Sequence, residues 1–371
     1  MPNQFVRKRK RPQDSVDTLS AICGYHDKTL VFAQSVDVAR LLSKKDSWVL
    51  GNRTCIGFRH SSANRLVSPG QFDDLAKTLK PDVVVIDEPS KILFDEINHG
   101  TNAIMEISAN SLQKKRYRWL KWLKTYVDLN DGAIPFFLGI GGDSFLADRI
   151  ESSKAVAQIC QSKDVGFVTY LPTPRHPDTK TMAIWVERLS ATFSHLPPSA
   201  PRMVLGVQSA SAIAIAVQNG VDLFDNQWIS GLSISGHAIL LRFDTEFNMA
   251  SLDLPPLGIQ TNGKYELLLN MNHQDSAVSS EGSDYDRPRN GIWRTDFRPL
   301  CPDCKCSTCK SPHTRAYIYH LLIVKDMLAY ILLMHHNTHQ LAMFMESIRV
   351  SIQDGTMDAH TGNWTESLVL E

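Results

Sequence analysis

The sequence predicts an α/β fold of the parallel kind, a (β/α)8 barrel carrying a small metal-binding segment near its carboxyl end. Two observations point to the barrel. Short apolar runs end at a turn or polar residue and pass into helix-like stretches, the pattern of parallel βα units. No Gly-rich dinucleotide fingerprint follows the first strands, which disfavours a doubly wound nucleotide-binding sheet. The metal-binding segment rests on a third observation, four cysteines at positions 301, 304, 306 and 309.

The chain opens with Arg7-Lys8-Arg9-Lys10-Arg11-Pro12, followed by polar residues where a signal peptide would have an apolar core. Residues 1–14 are therefore expected to be a basic flexible tail. The barrel is expected over 15–300. In it Val83-Val84-Val85-Ile86 stops at Asp87-Glu88, and Ile134 to Ile140 stops at Gly141-Gly142-Asp143 before a helical pattern through Ala157. Val165 to Leu171 leads into a loop holding Pro172, Pro174 and Pro177. Met203 to Val207 precedes a helix-like stretch from Ser209 to Asn219, and Val221-Asp222-Leu223-Phe224-Asp225 follows at once. Chemistry in this fold sits at the carboxyl ends of the strands, where Asp87, Gly141 and Asp225 fall. The polar stretch at 272–289 reads as a mobile surface loop. A metal-binding subdomain over 301–340 and a carboxyl-terminal helix and tail over 341–371 complete the layout.

Length and charge bound the function. At 371 residues the chain has room for a barrel plus an appendage, and 43% hydrophobic residues supply its core. Lys and Arg number 39, as do Asp and Glu, so no bulk field draws the chain to RNA or to a membrane. Contact with RNA has to come from a local patch or from a partner. Lys114-Lys115-Arg116-Tyr117-Arg118-Trp119-Leu120-Lys121-Trp122 interleaves basic and aromatic residues and is such a candidate. Its plainer reading is an amphipathic barrel helix with its aromatics packed inward. The longest apolar stretch, Leu321 to Met334, is cut by Lys325 and Asp326 and is too short to span a bilayer.

Cys304-x-Cys306-x-x-Cys309 offers three thiolates in a tight knuckle, and His336 follows beyond a helical stretch. Zinc takes four N or S ligands in a tetrahedron, which this set supplies. From the residues alone two rivals stay open. Cys301 could replace the histidine, and His335 could replace His336. Neighbouring helical residues point about 100° apart, so one of the two histidines reaches the metal. Four protein ligands leave no open position for water, so the expected role is structural.

These residues carry a resemblance. The knuckle, then His313-Thr-Arg-Ala-Tyr-Ile-Tyr-His-Leu-Leu, then Met334-His-His-Asn337, resembles the zinc segment of tRNA-guanine transglycosylases. Those enzymes exchange guanine at the wobble position of certain tRNAs for a deazaguanine, queuine in eukaryotes. The resemblance implies an irregular (β/α)8 TIM barrel with an inserted zinc subdomain, one zinc per chain, and Cys304, Cys306, Cys309 and His336 as its ligands. Pro201-Arg-Met-Val-Leu-Gly-Val and Gly220-Val-Asp-Leu-Phe-Asp225 resemble the unit bearing the family's nucleophile, which falls on Asp225. Pro81-Asp-Val-Val-Val-Ile-Asp87-Glu88 places Asp87 on the base-binding aspartate. The likeness covers roughly residues 65 to 355.

The departures bear on activity. No Asp-Ser-Gly-Gly-Phe-Gln run with the second catalytic aspartate occurs, and Ser68-Pro-Gly-Gln-Phe72, superficially similar, lies too close to the Asp87 strand. The Val-Gln-Gly-Gly loop stands as Ile140-Gly-Gly-Asp143, no Gly-Gly pair lies near Val165 to Leu171, and Ile229-Ser230-Gly231 replaces Pro-Thr-Arg. Scaffold kept and chemistry lost resembles the accessory, non-catalytic subunit type of the eukaryotic enzyme. That implies a heterodimer with a catalytic subunit of queuine tRNA-ribosyltransferase, joined through the zinc subdomain and a helix from Arg315 to Met334. It also implies tRNA held through the complex, with Asp225 and Asp87 as remnants. The implied location is the cytoplasm, peripheral at the mitochondrial outer membrane. Two other readings stand beside it, a divergent active transglycosylase using Asp225 and a zinc-stabilised RNA-binding module.

Overall fold

The computed structural model describes residues 31–34, 56–60, 63–86, 109–130, 132, 134–142, 145–160, 165–174, 179–241, 259–261, 266–271 and 293–357. The basic tail, Asp87, Asp143 and the 272–289 loop lie outside the described residues. The chain divides into two compact units, 1–170 with 188–203, and 171–187 with 204–371.

In the first unit β1 (Val31–Gln34), β4 (Val83–Ile86), β5 (Phe136–Gly139) and β6 (Gly166–Tyr170) are parallel neighbours in that order. The register pairs Val31 with Val83, Val84 with Phe136 and Phe137 with Gly166. Between β1 and β4 in sequence, β2 (Ile56–His60) and β3 (Ala63–Val67) form an antiparallel hairpin. Runs such as Val83-Val84-Val85-Ile86 and Phe136-Phe137-Leu138 are continuous apolar stretches because parallel strands are covered on both faces. The parallel α/β class is the one expected.

Helices cover these strands. α1 (Pro69–Leu79) starts in a capping box in which Ser68 Oγ accepts from the Gln71 amide at 3.2 Å and Gln71 Oε1 accepts from the Ser68 amide at 3.0 Å. α2 (Ala109–Leu129) buries Trp119, Trp122, Leu123 and Tyr126, the face that a period of about 3.6 residues collects. Trp122 stacks on Trp119 at 6.0 Å and on Tyr126 at 5.8 Å, and Phe72 of α1 meets Trp122 edge-on at 5.8 Å. The two indoles keep their N–H groups bonded, Trp119 to the Gly139 carbonyl and Trp122 to the Val67 carbonyl.

α3 (Leu146–Ile159) buries Arg149, whose guanidinium donates to Thr169 and Thr192. Gly142, at φ +126°, lets the chain pass against this helix, since a Cβ there would lie 2.5 Å from the Arg149 amide nitrogen. α4 (Thr179–Phe193) spans the division between the units, as does β7 (Arg202–Leu205).

In the second unit the end of β7 leads to α5 (Ala210–Gln218), capped by Ser209, and then to the two-residue strand β8 (Leu223–Phe224) and α6 (Gln227–Ile234). β9 (His237–Leu241), β10 (Ile259–Thr261) and β11 (Glu266–Asn270) form an antiparallel sheet in the order β10-β11-β9. The short α7 (Ser307–Lys310) precedes α8 (Arg315–Ile323) and α9 (Met327–Gln353). The single helix expected from Arg315 to Met334 is thus two. Lys325 at φ +57° breaks it, and Asp326 caps α9 by accepting from the Leu328 amide at 2.8 Å. α9 then runs without interruption through residues 340 and 341.

Candidate metal centre and remnant site

The knuckle is built by local turns. The Cys304 amide donates to the Cys301 carbonyl, and Cys306 caps α7, its sulfur accepting from the Cys309 amide at 3.3 Å. Thr308, buried, donates to the Leu332 carbonyl at 2.8 Å and pins α7 against α9. The sulfurs of Cys304, Cys306 and Cys309 then face one ring nitrogen. His336 Nδ1 lies 3.7, 3.6 and 3.3 Å from them in that order, and the four donor atoms all fall within 4.8 Å of one another.

That spacing fits a metal. Zn–S bonds of about 2.3 Å and Zn–N bonds of about 2.0 Å give tetrahedral edges of roughly 3.5–3.8 Å. The protonation pattern agrees. A hydrogen bond from Cys309 pulls the Cys304 thiol down to about 3 and pushes Cys309 up, so one proton serves both sulfurs. Burial disfavours a charged His336, yet the sulfurs of Cys304 and Cys306 hold it up, at about 9. Such a cluster lacks positive charge, which a divalent cation supplies. When bound, zinc would contribute folding free energy here, because all four positions are filled by protein.

The structure separates the rivals. His335 is exposed and its Nδ1 bonds Ser307 Oγ at 3.1 Å, while His336 is fully buried in the cluster. Cys301 packs in the surrounding apolar core with Trp293, Leu300, Ile318 and Leu322 and is not among the four clustered donors.

The far side of the His336 ring was not anticipated. Nε2 donates to the Ile239 carbonyl at 2.8 Å, which fixes the tautomer and leaves Nδ1 free to ligate. Asn337 Oδ1 accepts from the Ile239 amide at 2.9 Å, its Nδ2 donates to the His237 carbonyl and to Ser233 Oγ, and Gln340 Oε1 accepts from the Leu241 amide at 3.1 Å. Antiparallel strands bond through alternate residues, and the Met271 amide already donates to Gly236, so the odd-numbered residues of β9 face away from β11. Side chains of α9 therefore take the place of the next strand. The spacing of His336, Asn337 and Gln340 along one helix, opposite the apolar run His237–Leu241, is the sequence signal that carries it.

A second contact secures the approach to the knuckle. Arg315 donates to Asp296 at 3.0 Å and to the Leu300 carbonyl at 2.9 Å, and lies over the Trp293 ring at 5.7 Å. Burial opposes ionisation of Asp296, but Arg298 and Arg315 hold its carboxyl down at about 2.

Comparison with known proteins accounts for this combination of knuckle and fold. A model of the family described as queuine tRNA-ribosyltransferase matches residues 6–369. The chain belongs to that family. It is 25% identical over 311 residues to the queuine tRNA-ribosyltransferase accessory subunit 2 of Gallus gallus, covering 80% of this chain and 68% of that protein. To the protein of the same name in Xenopus tropicalis it is 33% identical over 46% of this chain and 41% of the relative. The Homo sapiens protein is 29% identical over 58% of this chain and 50% of the relative.

The segments compared with the family's motifs can be located in the structure. Ser68 caps α1 and Pro69 to Phe72 form its first turn, so the run set aside as only superficially similar is a helix start. Gly142 serves packing against α3. Ile229, Ser230 and Gly231 lie inside α6. Leu171 is buried beside the residues that precede the Pro-rich loop. Asp225 follows β8, and its Oδ2 accepts from the Gly206 amide at 3.0 Å while Oδ1 has no hydrogen-bond partner among the described residues. Burial pushes its carboxyl up to about 6, against the pull of the amides of Gly206, Gln227 and Asp225 itself. Asp87, the other remnant, lies outside the described residues.

Among the described residues no helix is long and apolar enough to cross a membrane.

One zinc per chain is expected by metal analysis of the purified protein. Cys306→Ser should lose that metal and melt at lower temperature, because structural zinc contributes on the order of 10 kcal/mol in small domains. His335→Ala should keep it, and full occupancy in Cys306→Ser would contradict the ligand set.

Proposed function

We propose that this chain is the non-catalytic subunit of a queuine tRNA-ribosyltransferase. It supports exchange of guanine for queuine at the wobble position of tRNAs with GUN anticodons, in a heterodimer with a catalytic subunit in the cytoplasm. The observation that carries this reading is the contrast between the two sites of the second unit. The Cys304, Cys306, Cys309 and His336 cluster has all its donors and its supporting hydrogen bonds. Asp225 accepts from the Gly206 amide, has an oxygen without a hydrogen-bond partner among the described residues, and has no second acid in the sequence motif where active members carry one.

Base exchange needs a nucleophile on the sugar carbon, acid and base groups for the two bases, and a pocket for them. A lone carboxylate meets the first requirement only. At pH 7 Asp225 is largely ionised although burial favours its protonated form, a cost to folding. The names of the relatives support the same assignment.

The corner between α8 and α9 supports a subunit contact. Ile323, Val324, Met327 and Ile331, at the end of α8 and the start of α9, are 40%, 55%, 72% and 43% exposed. Apolar residues at such density on a helix corner are what a partner covers. The metal then has a further role, since it holds the α9 end of that corner in place. In an equimolar mixture at micromolar concentration, light scattering should give a heterodimer, and Val324→Asp with Met327→Asp should return it to monomers with zinc content unchanged. A monomer in the wild-type mixture would refute the interface.

Turnover discriminates this reading from a divergent active enzyme. Alone, the chain should exchange no base. With the catalytic subunit, activity should appear and Asp225→Asn should leave it unchanged, whereas loss of a positioned catalytic group commonly costs about 10²–10⁴-fold. The same substitution should raise stability at pH 7 by about 1–3 kcal/mol. The sign follows from the raised folded value. Between about pH 4 and pH 6 the folded state binds more protons than the unfolded chain, so wild-type stability falls as pH rises through that window, and the gain from Asn vanishes near pH 4. Loss of activity in Asp225→Asn, with dimer and zinc intact, would mean that this chain shares in the chemistry.

A further inference from the structure

The face of α2 that points away from the core lies outside the packing described above and outside the metal centre. On a helix at about 100° per residue, Lys114, Tyr117, Arg118, Lys121 and Lys124 fall within one arc, opposite the buried Trp119, Trp122, Leu123 and Tyr126. Lys114, Lys121 and Lys124 are exposed, Arg118 is half-buried, and Tyr117 is 68% exposed. Along the whole helix Asp128 is the sole acid against Lys114, Lys115, Arg116, Arg118, Lys121 and Lys124. Of the nearby acids on α3, Asp148 is taken by Arg116 and Glu151 by Lys154. On α1, Asp73 pairs with Lys77. In a chain of zero formal net charge, this is a concentrated positive stripe around one outward aromatic ring.

We propose that this face of α2 is an RNA-contact surface, on which Lys114, Lys121 and Lys124 engage phosphates and Tyr117 stacks on an unpaired base. It rests on the reading that the complex handles tRNA and names the surface this subunit contributes. Charge complementarity chooses a polyanion as the occupant. The exposed ring at the centre of the stripe chooses one with accessible bases, since single-stranded segments of RNA are bound by aromatic stacking beside basic residues. An anionic membrane fits less well. A helix that lies on a bilayer inserts its apolar face, and the apolar face of α2 is already spent on Phe72, Phe136 and the strand ends.

The test uses the full chain in complex with the catalytic subunit and a tRNA substrate, with affinity measured by fluorescence anisotropy over a series of KCl concentrations. Lys114→Gln, Lys121→Gln and Lys124→Gln together should weaken binding about ten-fold or more near physiological salt. They should also reduce the slope of log affinity against log salt by about two to three, as expected for three lost phosphate contacts. Tyr117→Ala should cost roughly five-fold or more with the slope unchanged. These side chains are exposed, so dimer formation, zinc content and melting should match wild type, and they confirm that the variants are folded. Wild-type affinity and slope in the triple variant would overturn the proposal and leave the functional reading standing. Failure of the wild-type complex to bind tRNA would overturn both. Loss of binding to phosphatidylserine vesicles with tRNA affinity unchanged would overturn the RNA surface in favour of a membrane one.

Discussion

One imidazole ring joins the metal cluster to the rest of its unit. Nδ1 of His336 faces three cysteine sulfurs, and Nε2 holds the carbonyl of Ile239. Neither contact stands alone. Without the bond to Ile239 the ring could take the tautomer that points a proton at the metal, and without the metal it would be held by thiols alone. Asn337 and Gln340 extend the attachment along β9, so that a helix ends the sheet where a further strand would otherwise be needed. Buried amides in such an arrangement stabilise the fold only while every partner is present, since each orphaned group costs about 1–3 kcal/mol. The four-donor cluster, the helix and the sheet edge therefore form one connected unit.

The same unit sets the subunit corner. α8 and α9 are separated by Lys325 in the left-handed region and by the Asp326 cap, and the turn exposes Val324 and Met327 at its apex. Arg315 anchors the start of α8 through Asp296 and Leu300, while the β9 contacts of His336, Asn337 and Gln340 anchor α9.

Much of this was legible in the sequence, and the misses have physical causes. Strand-length apolar runs ending in turn residues located β4, β5 and β6, because strands covered on both faces leave little else to read. The cysteine spacing located the knuckle, while choosing His336 over His335 needed the resemblance or the structure. A periodicity argument could not see the break at Lys325, since the apolar stripe continues through it and only one backbone angle changes. Nor does periodicity show that Asn337 and Gln340 bond to a strand almost a hundred residues earlier. The tryptophans of α2 read equally well as RNA platforms or as core. Their burial decides for the core and leaves Tyr117 as the outward ring.

Backbone hydrogen exchange with and without a chelator tests the coupling most directly. Removing the cation is expected to speed exchange at the Ile239 and Leu241 amides, which Asn337 and Gln340 cover, while amides of β5 in the other unit keep their protection. Ile239 and Leu241 as protected in the metal-free protein as in the loaded one would contradict the link between the metal centre and the sheet.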